Sequence, residues 1–113
     1  MLIVDDHATF RVASRQLLEA GGFDVVGEAE DGLRALAEAQ RLRPDIVLLD
    51  VQLPDMDGFA VAECLAVSVP SSSVVLISSR DAVTYGRQVE QAAVVGFLAK
   101  RELSGAALAR LVD

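Results

Sequence analysis

Residues 45–58 read DIVLLDVQLPDMDG. Ile46, Val47, Leu48, Leu49 and then Val51 form the most apolar short run in the chain. A run that is apolar at odd and even positions alike is a strand buried on both faces, the mark of a parallel sheet covered by helices on either side. Asp50 interrupts the run at its end, and Asp55 and Asp57 follow within the next few residues. Asp57-Gly58 reads as a loop leading into a helix cap, and Pro54-Asp55 as a turn. Those two acids therefore have structural explanations; Asp50 alone could be a turn residue, but its position before QLPDMDG favours a functional role.

Working outward, short apolar runs alternate with helical patterns. Met1–Val4, Asp24–Ala29, Asp45–Asp50, Ser73–Ser78 and Val94–Ala99 read as strands. Between them, Phe10, Ala13, Ser14, Leu17 and Leu18 follow helical spacing and stop at Gly21-Gly22. Leu33, Leu36, Ala37 and Gln40 give a second helix ending before Pro44. Phe59, Ala62, Cys64 and Leu65 give a third, with Cys64 expected in the core. Tyr85, Val89, Ala92 and Ala93 give a fourth, weakened by Gly86 inside it. Leu103, Ala107, Leu108 and Leu111 give the last. The expectation is an α/β fold, a five-stranded parallel sheet with helices on both faces, as one domain over residues 1–113 with no effector domain within it.

The 113 residues suffice to bury a core. Hydrophobic residues are 52% and mean hydropathy is +0.39, which excludes a disordered tail. No apolar run is long enough to span a bilayer, and MLIVDDH lacks the basic start and long apolar stretch of a signal peptide. One cysteine, Cys64, allows no internal disulfide, in keeping with a cytoplasmic protein. The net charge of −7 argues against direct nucleic-acid binding, which needs clustered Lys and Arg.

In an open α/β sheet, functional groups gather at the carboxyl ends of the strands. Asp5-Asp6 end the first strand, Asp50 the third, Ser78-Ser79 the fourth and Lys100 the fifth. Three carboxylates in one pocket repel one another unless protons or a cation neutralise them. Carboxylate oxygens suit Mg²⁺, and aspartate serves as a phosphoryl acceptor in covalent catalysis. A transferring phosphoryl group also needs cationic and donor groups on its remaining oxygens, which Lys100 and Ser78 could supply. On this reading Asp50 is a nucleophile and the strand is its rigid mount.

LIVDDH, DIVLLDVQLPDMDG, VVLISS and GFLAK together resemble the receiver domain of bacterial two-component response regulators across essentially the whole chain. The DDHxxFR opening and EAEDG are similar to the NarL/FixJ subfamily, whose members often carry a helix-turn-helix effector. The resemblance implies a flavodoxin-like (βα)5 fold with strand order 2-1-3-4-5. It implies Asp50 as phosphoacceptor from a histidine kinase, with Mg²⁺ on Asp5, Asp6, Asp50 and the backbone carbonyl of Gln52. It implies that Lys100 pairs with phosphoryl oxygens, that Ser78 moves to contact them, and that Phe97 turns inward as Ser78 moves. Ser79 would guard access, and Gln52 and Arg80 would stand at the positions that tune dephosphorylation. Phosphorylation would switch a partner-binding surface or promote a weak homodimer, acting on a downstream effector. The domain would catalyse only its own phosphorylation and dephosphorylation.

Two features depart from the family pattern. Arg101 follows the lysine where a proline is frequent, and the usual small residues ahead of the fifth strand read Ala92-Ala93-Val94, with Val95 next. Alternatives stand for single residues: a loop acid and helix N-cap for Asp5-Asp6, a surface amine for Lys100, a core hydroxyl for Ser78, simple strand packing for Phe97, and a cap or orienting group for His7. Three rival functions also stand. A Mg²⁺-dependent phosphatase would want an acid two residues after the nucleophile, where Gln52 stands. A phosphorylation-independent interaction module would not need the full acid set. A nucleotide binder would want a glycine-rich loop after the first strand, where Asp5-Asp6 would repel an anion.

Overall fold

The computed structural model describes residues 1–112, so the last residue of the expected domain, Asp113, lies outside the described residues. Five parallel strands, β1 (Leu2–Val4), β2 (Gly27–Ala29), β3 (Ile46–Asp50), β4 (Ser73–Ser78) and β5 (Gly96–Ala99), form one sheet in the order 2-1-3-4-5. The register pairs Leu2 with Val47 and Val4 with Leu49, then Asp50 with Ile77 and Ser78 with Ala99. Both the fold class and the strand order expected from the sequence are observed.

The alternation along each strand divides the core in two. Leu2, Val4, Val47, Leu49 and Leu76 face α2 (Gly32–Leu42) and α3 (Gly58–Ser68), where Ala35, Ala39, Val61, Ala62 and Leu65 meet them. Ile3, Leu48, Val75 and Ile77 face the other way, against Leu18 of α1 (Ala8–Ala20) and Leu108 of α6 (Gly105–Val112). Leu48 and Leu49 are both fully buried, on opposite faces, which is why the run reads as continuously apolar. Burying one such side chain contributes roughly 1.5–3 kcal/mol.

Several boundaries and faces differ from the expectation. The fourth helix is two short ones, α4 (Ala82–Tyr85) and α5 (Arg87–Gln91), because Gly86 sits between them at φ +56°. A left-handed backbone there ends one helical turn and starts another. The second strand is confined to Gly27–Ala29, the fifth begins at Gly96, and the last helix starts at Gly105 after a 3-10 turn over Lys100–Glu102. In α2 the residues turned to the sheet are Gly32, Ala35 and Ala39, while Leu33, Ala37 and Gln40 are exposed. Small residues take the inner face, and at its first residue space is tight: a Cβ on Gly32 would come within 2.8 Å of the Met56 side chain in the loop after β3. Cys64 is exposed and not in the core, since the inner face of α3 is Val61, Ala62 and Leu65 and Cys64 falls off it.

Candidate functional site

The strand order reverses between β1 and β3, and the chemistry gathers there, at the carboxyl ends of the strands. Asp5 follows directly after β1, fully buried. Its Oδ1 accepts the His7 backbone N–H at 2.8 Å, which closes the turn into α1. The Asp5 carbonyl accepts a 2.6 Å bond from the Arg11 guanidinium, and Arg11 is itself paired with Glu28 on β2 at 3.1 Å. Asp50 closes β3 and is 4% exposed, and its Oδ1 accepts the Gln52 N–H at 3.3 Å. Lys100 reaches in from the end of β5. Its Nζ lies 2.5 Å from Asp5 Oδ2 and 3.5 Å from Asp50 Oδ2, and 4.4 Å from the centre of the Phe10 ring. The aromatic face adds a cation–π contact that holds the ammonium in place.

The loop after Asp50 is fastened at both ends. Gly58 N donates to Val51 O at 2.7 Å, and Gln52 bridges Asp57 across the loop. Only glycine fits at 58, because a Cβ there would stand 2.5 Å from Asp50 O and 2.7 Å from Val51 Cα. Asp57 caps α3 through the Phe59 N–H, as its sequence context indicates. Asp55 is more than a turn residue. Its carboxylate accepts the N–H groups of Gly32 and Leu33 at 2.7 and 3.0 Å, tying the loop to the first turn of α2. Those two bonds hold the Asp55 carboxyl below its ordinary range.

Asp5, Asp6, His7 and Asp50 each present a ligand atom within 4.8 Å of one another. The three carboxylates face one ammonium, leaving negative charge uncompensated. Burial, and next the charge of Asp5, push the Asp50 carboxyl from 3.8 up to about 6, against the opposing pull of Lys100 and the Gln52 N–H. Asp5 Oδ2 has the Lys100 ammonium as its one partner among the described residues. Three carboxylates sharing a single ammonium, one of them fully buried, fit a hard divalent cation such as Mg²⁺. His7 occupies the position before α1 without capping it through its side chain. Its Nδ1 stands 3.2 Å from Asp5 and 3.1 Å from Asp6.

The sequence-expected residues thus divide. Asp5, Asp6, Asp50 and Lys100 come together, with Gln52 and Ser79 on the rim of the same open pocket of about 270 Å³. Ser78 is buried, but its hydroxyl pairs with the Tyr85 phenol at 2.7 Å and accepts the Arg80 N–H at 3.0 Å. Phe97 is half-buried against Tyr85, with ring centres 5.9 Å apart. The Arg80 side chain is exposed, and only its backbone touches Ser78. The sequence reading missed Tyr85, Arg11 and the reach of Asp55. The sole tyrosine, one turn into the helix after the strand that bears Ser78, was the signal for the first.

The family model for the response regulator receiver domain matches residues 1–112. The response regulator GacA of Pseudomonas viridiflava is 34% identical, covering 100% of this chain and 51% of that protein. The signal receiver domain of NarL from Mycobacterium tuberculosis is 36% identical with a TM-score of 0.85, covering 97% of this chain and 93% of that one. The matching chain in the CheX–CheY–BeF3–Mg²⁺ complex from Borrelia burgdorferi is 26% identical with a TM-score of 0.84, covering 98% and 84%. The chain spans about half the length of the curated relatives it matches. Among the described residues, no helix is long and apolar enough to cross a membrane.

Proposed function

The chain belongs to the response regulator receiver domain family, a signalling module of two-component systems, and from that premise we propose that Asp50 is its phosphoacceptor. The observation that carries the proposal is the placement of a nearly buried Asp50 beside Asp5 and Lys100 at the sheet's switch point. Asp5, Asp6, Asp50 and the Gln52 carbonyl would hold Mg²⁺. When bound, Mg²⁺ supplies positive charge to a phosphoryl oxygen and relieves the repulsion among the acids. In the transfer, an Asp50 carboxylate oxygen forms a bond to phosphorus as the P–N bond of a donor phosphohistidine breaks. The donor imidazole leaves with the electron pair. Lys100 neutralises charge on the phosphoryl oxygens, and β3 keeps the nucleophile in line. Water attack on phosphorus later returns the carboxylate and releases inorganic phosphate, with Gln52, Ser79 and Arg80 setting water access.

The chain would act in the cytoplasm, with a histidine kinase and an effector as its partners and a weak homodimer as one route of output. Ser78 and Phe97 would shift with phosphorylation and change the face of α4, α5 and β5. The domain performs only its own phosphorylation and dephosphorylation.

The test is intact mass after incubation with acetyl phosphate, with and without Mg²⁺, on wild type and Asp50→Asn. The expected result is a gain of about 80 Da that requires both Mg²⁺ and Asp50. No gain in wild type, together with no Mg²⁺-dependent beryllofluoride binding, overturns the proposal and favours an interaction module that does not use phosphorylation.

A further inference from the structure

Ser78 does not present a free hydroxyl to Asp50. Its Oγ accepts the Arg80 N–H at 3.0 Å and pairs with the Tyr85 phenol at 2.7 Å, in a site where Ser78 is 1% exposed. A serine hydroxyl has one proton and two lone pairs, so these two contacts fix its direction. Turning Oγ to a group on Asp50 would draw it away from the phenol it meets at 2.7 Å.

We propose that Tyr85 is a positioning residue of the phosphorylation reaction: its phenol holds Ser78 Oγ in a direction from which it must be released before it can contact a phosphoryl group on Asp50. This rests on the phosphoacceptor reading of Asp50 and Ser78. Tyr85 is well placed to hold and to let go. Its ring packs edge-on against Phe59 at 5.6 Å and tilted against Phe97 at 5.9 Å, which aims the phenol. Yet it is carried by α4, a four-residue helix with no buried residue, bounded by Gly86 at φ +56°. An element with so few backbone bonds and so little burial opens at low cost. Phe97 therefore connects to Ser78 through Tyr85, and release of the phenol loosens its packing on both neighbouring rings.

Tyr85→Phe keeps the ring and removes the hydroxyl. The probe is beryllofluoride with Mg²⁺, its binding followed by fluorine NMR. The expected result is a dissociation constant lower by about two- to tenfold than wild type, the span of one net hydrogen bond. In a Ser78→Ala background the same change should have no effect, an epistasis that a packing role for Tyr85 would not produce. Equal affinities within twofold, or a Tyr85→Phe effect of the same size with and without Ser78, overturns the proposal. Should Tyr85→Phe fail to fold, the wild type supplies the second measurement. The chain has one tyrosine and no tryptophan, so its intrinsic emission reads this phenol alone. Emission should change on saturation with beryllofluoride, and that change should vanish in Ser78→Ala; constant emission at saturation refutes the release. If wild type binds beryllofluoride and is phosphorylated on Asp50, such failures fall on Tyr85 alone. If wild type does neither, the phosphoacceptor reading fails and this proposal fails with it.

Discussion

Replacing Asp50 by Asn should stabilise the protein in buffer free of divalent ions, and the gain should depend on pH. The two side chains have the same shape, and the amide oxygen can still accept the Gln52 N–H seen at 3.3 Å. What is lost is a negative charge buried beside Asp5. Burial, and next the charge of Asp5, lift the Asp50 carboxyl from 3.8 to about 6. A folded value above the unfolded one means the folded state holds the proton more tightly. The stabilising effect of that proton is full below about 3.8 and is gone once pH rises past about 6. A shift of about two units at ~1.4 kcal/mol per unit sets an upper bound of ~3 kcal/mol. Water at the open mouth of the pocket screens the charge, so ~1–2 kcal/mol is expected. The opposing pull of Lys100, 3.5 Å from Asp50, is already contained in that shift. Thermal unfolding followed by circular dichroism at pH 8 should place Asp50→Asn about 5–10 °C above wild type. The gap should narrow as pH falls through about 6, down to the approach of the pI near 4.5. Added Mg²⁺ should narrow it from the other side by stabilising wild type more. An Asn variant that is no more stable at pH 8, or a gap that stays constant as the pH is lowered, refutes this account of the site's electrostatics.

Lys100→Met should cost about 2–4 kcal/mol in urea denaturation, because fully buried Asp5 loses its counter-charge; a loss under 1 kcal/mol would show Asp5 to be compensated elsewhere. Gly58→Ala drives a Cβ into the backbone of Asp50 and Val51 and should cost about 2–4 kcal/mol, measured the same way; a neutral result would mean the loop yields easily. Asp55→Ala should speed hydrogen exchange at the Gly32 and Leu33 amides and lower the melting temperature; unchanged exchange at those two amides would show the tie to be dispensable.

The sheet and the acid cluster were legible in the chain because both are consequences of strand periodicity. A doubly buried strand such as Ile46–Asp50 leaves a plain apolar run, and the carboxyl ends of such strands are where Asp5, Asp50 and Lys100 had to stand. Helix faces were harder. α2 turns Ala35 and Ala39 inward and leaves Leu33 exposed, so the larger apolar residue does not mark its inner face. Cys64 was misplaced for a related reason: its neighbours Val61, Ala62 and Leu65 already fill the inner stripe. Side-chain links between distant elements leave no periodic trace. Asp55 on α2, Arg11 on the Asp5 carbonyl and Tyr85 on Ser78 each depend on which loop passes which helix.

The Lys100 contact with Asp5 joins the last strand to the first, across nearly the full length of the chain. Contacts of such long sequence separation carry a large loop-closure cost and tend to form late in folding. β1 and β3 lie in the first half of the chain, so the three acids leave the ribosome well before the lysine that faces them. A partly made chain therefore holds Asp5, Asp6 and Asp50 without the ammonium that faces them, and, on the proposed phosphoacceptor role of Asp50, competence to receive a phosphoryl group would arrive only with the final strand.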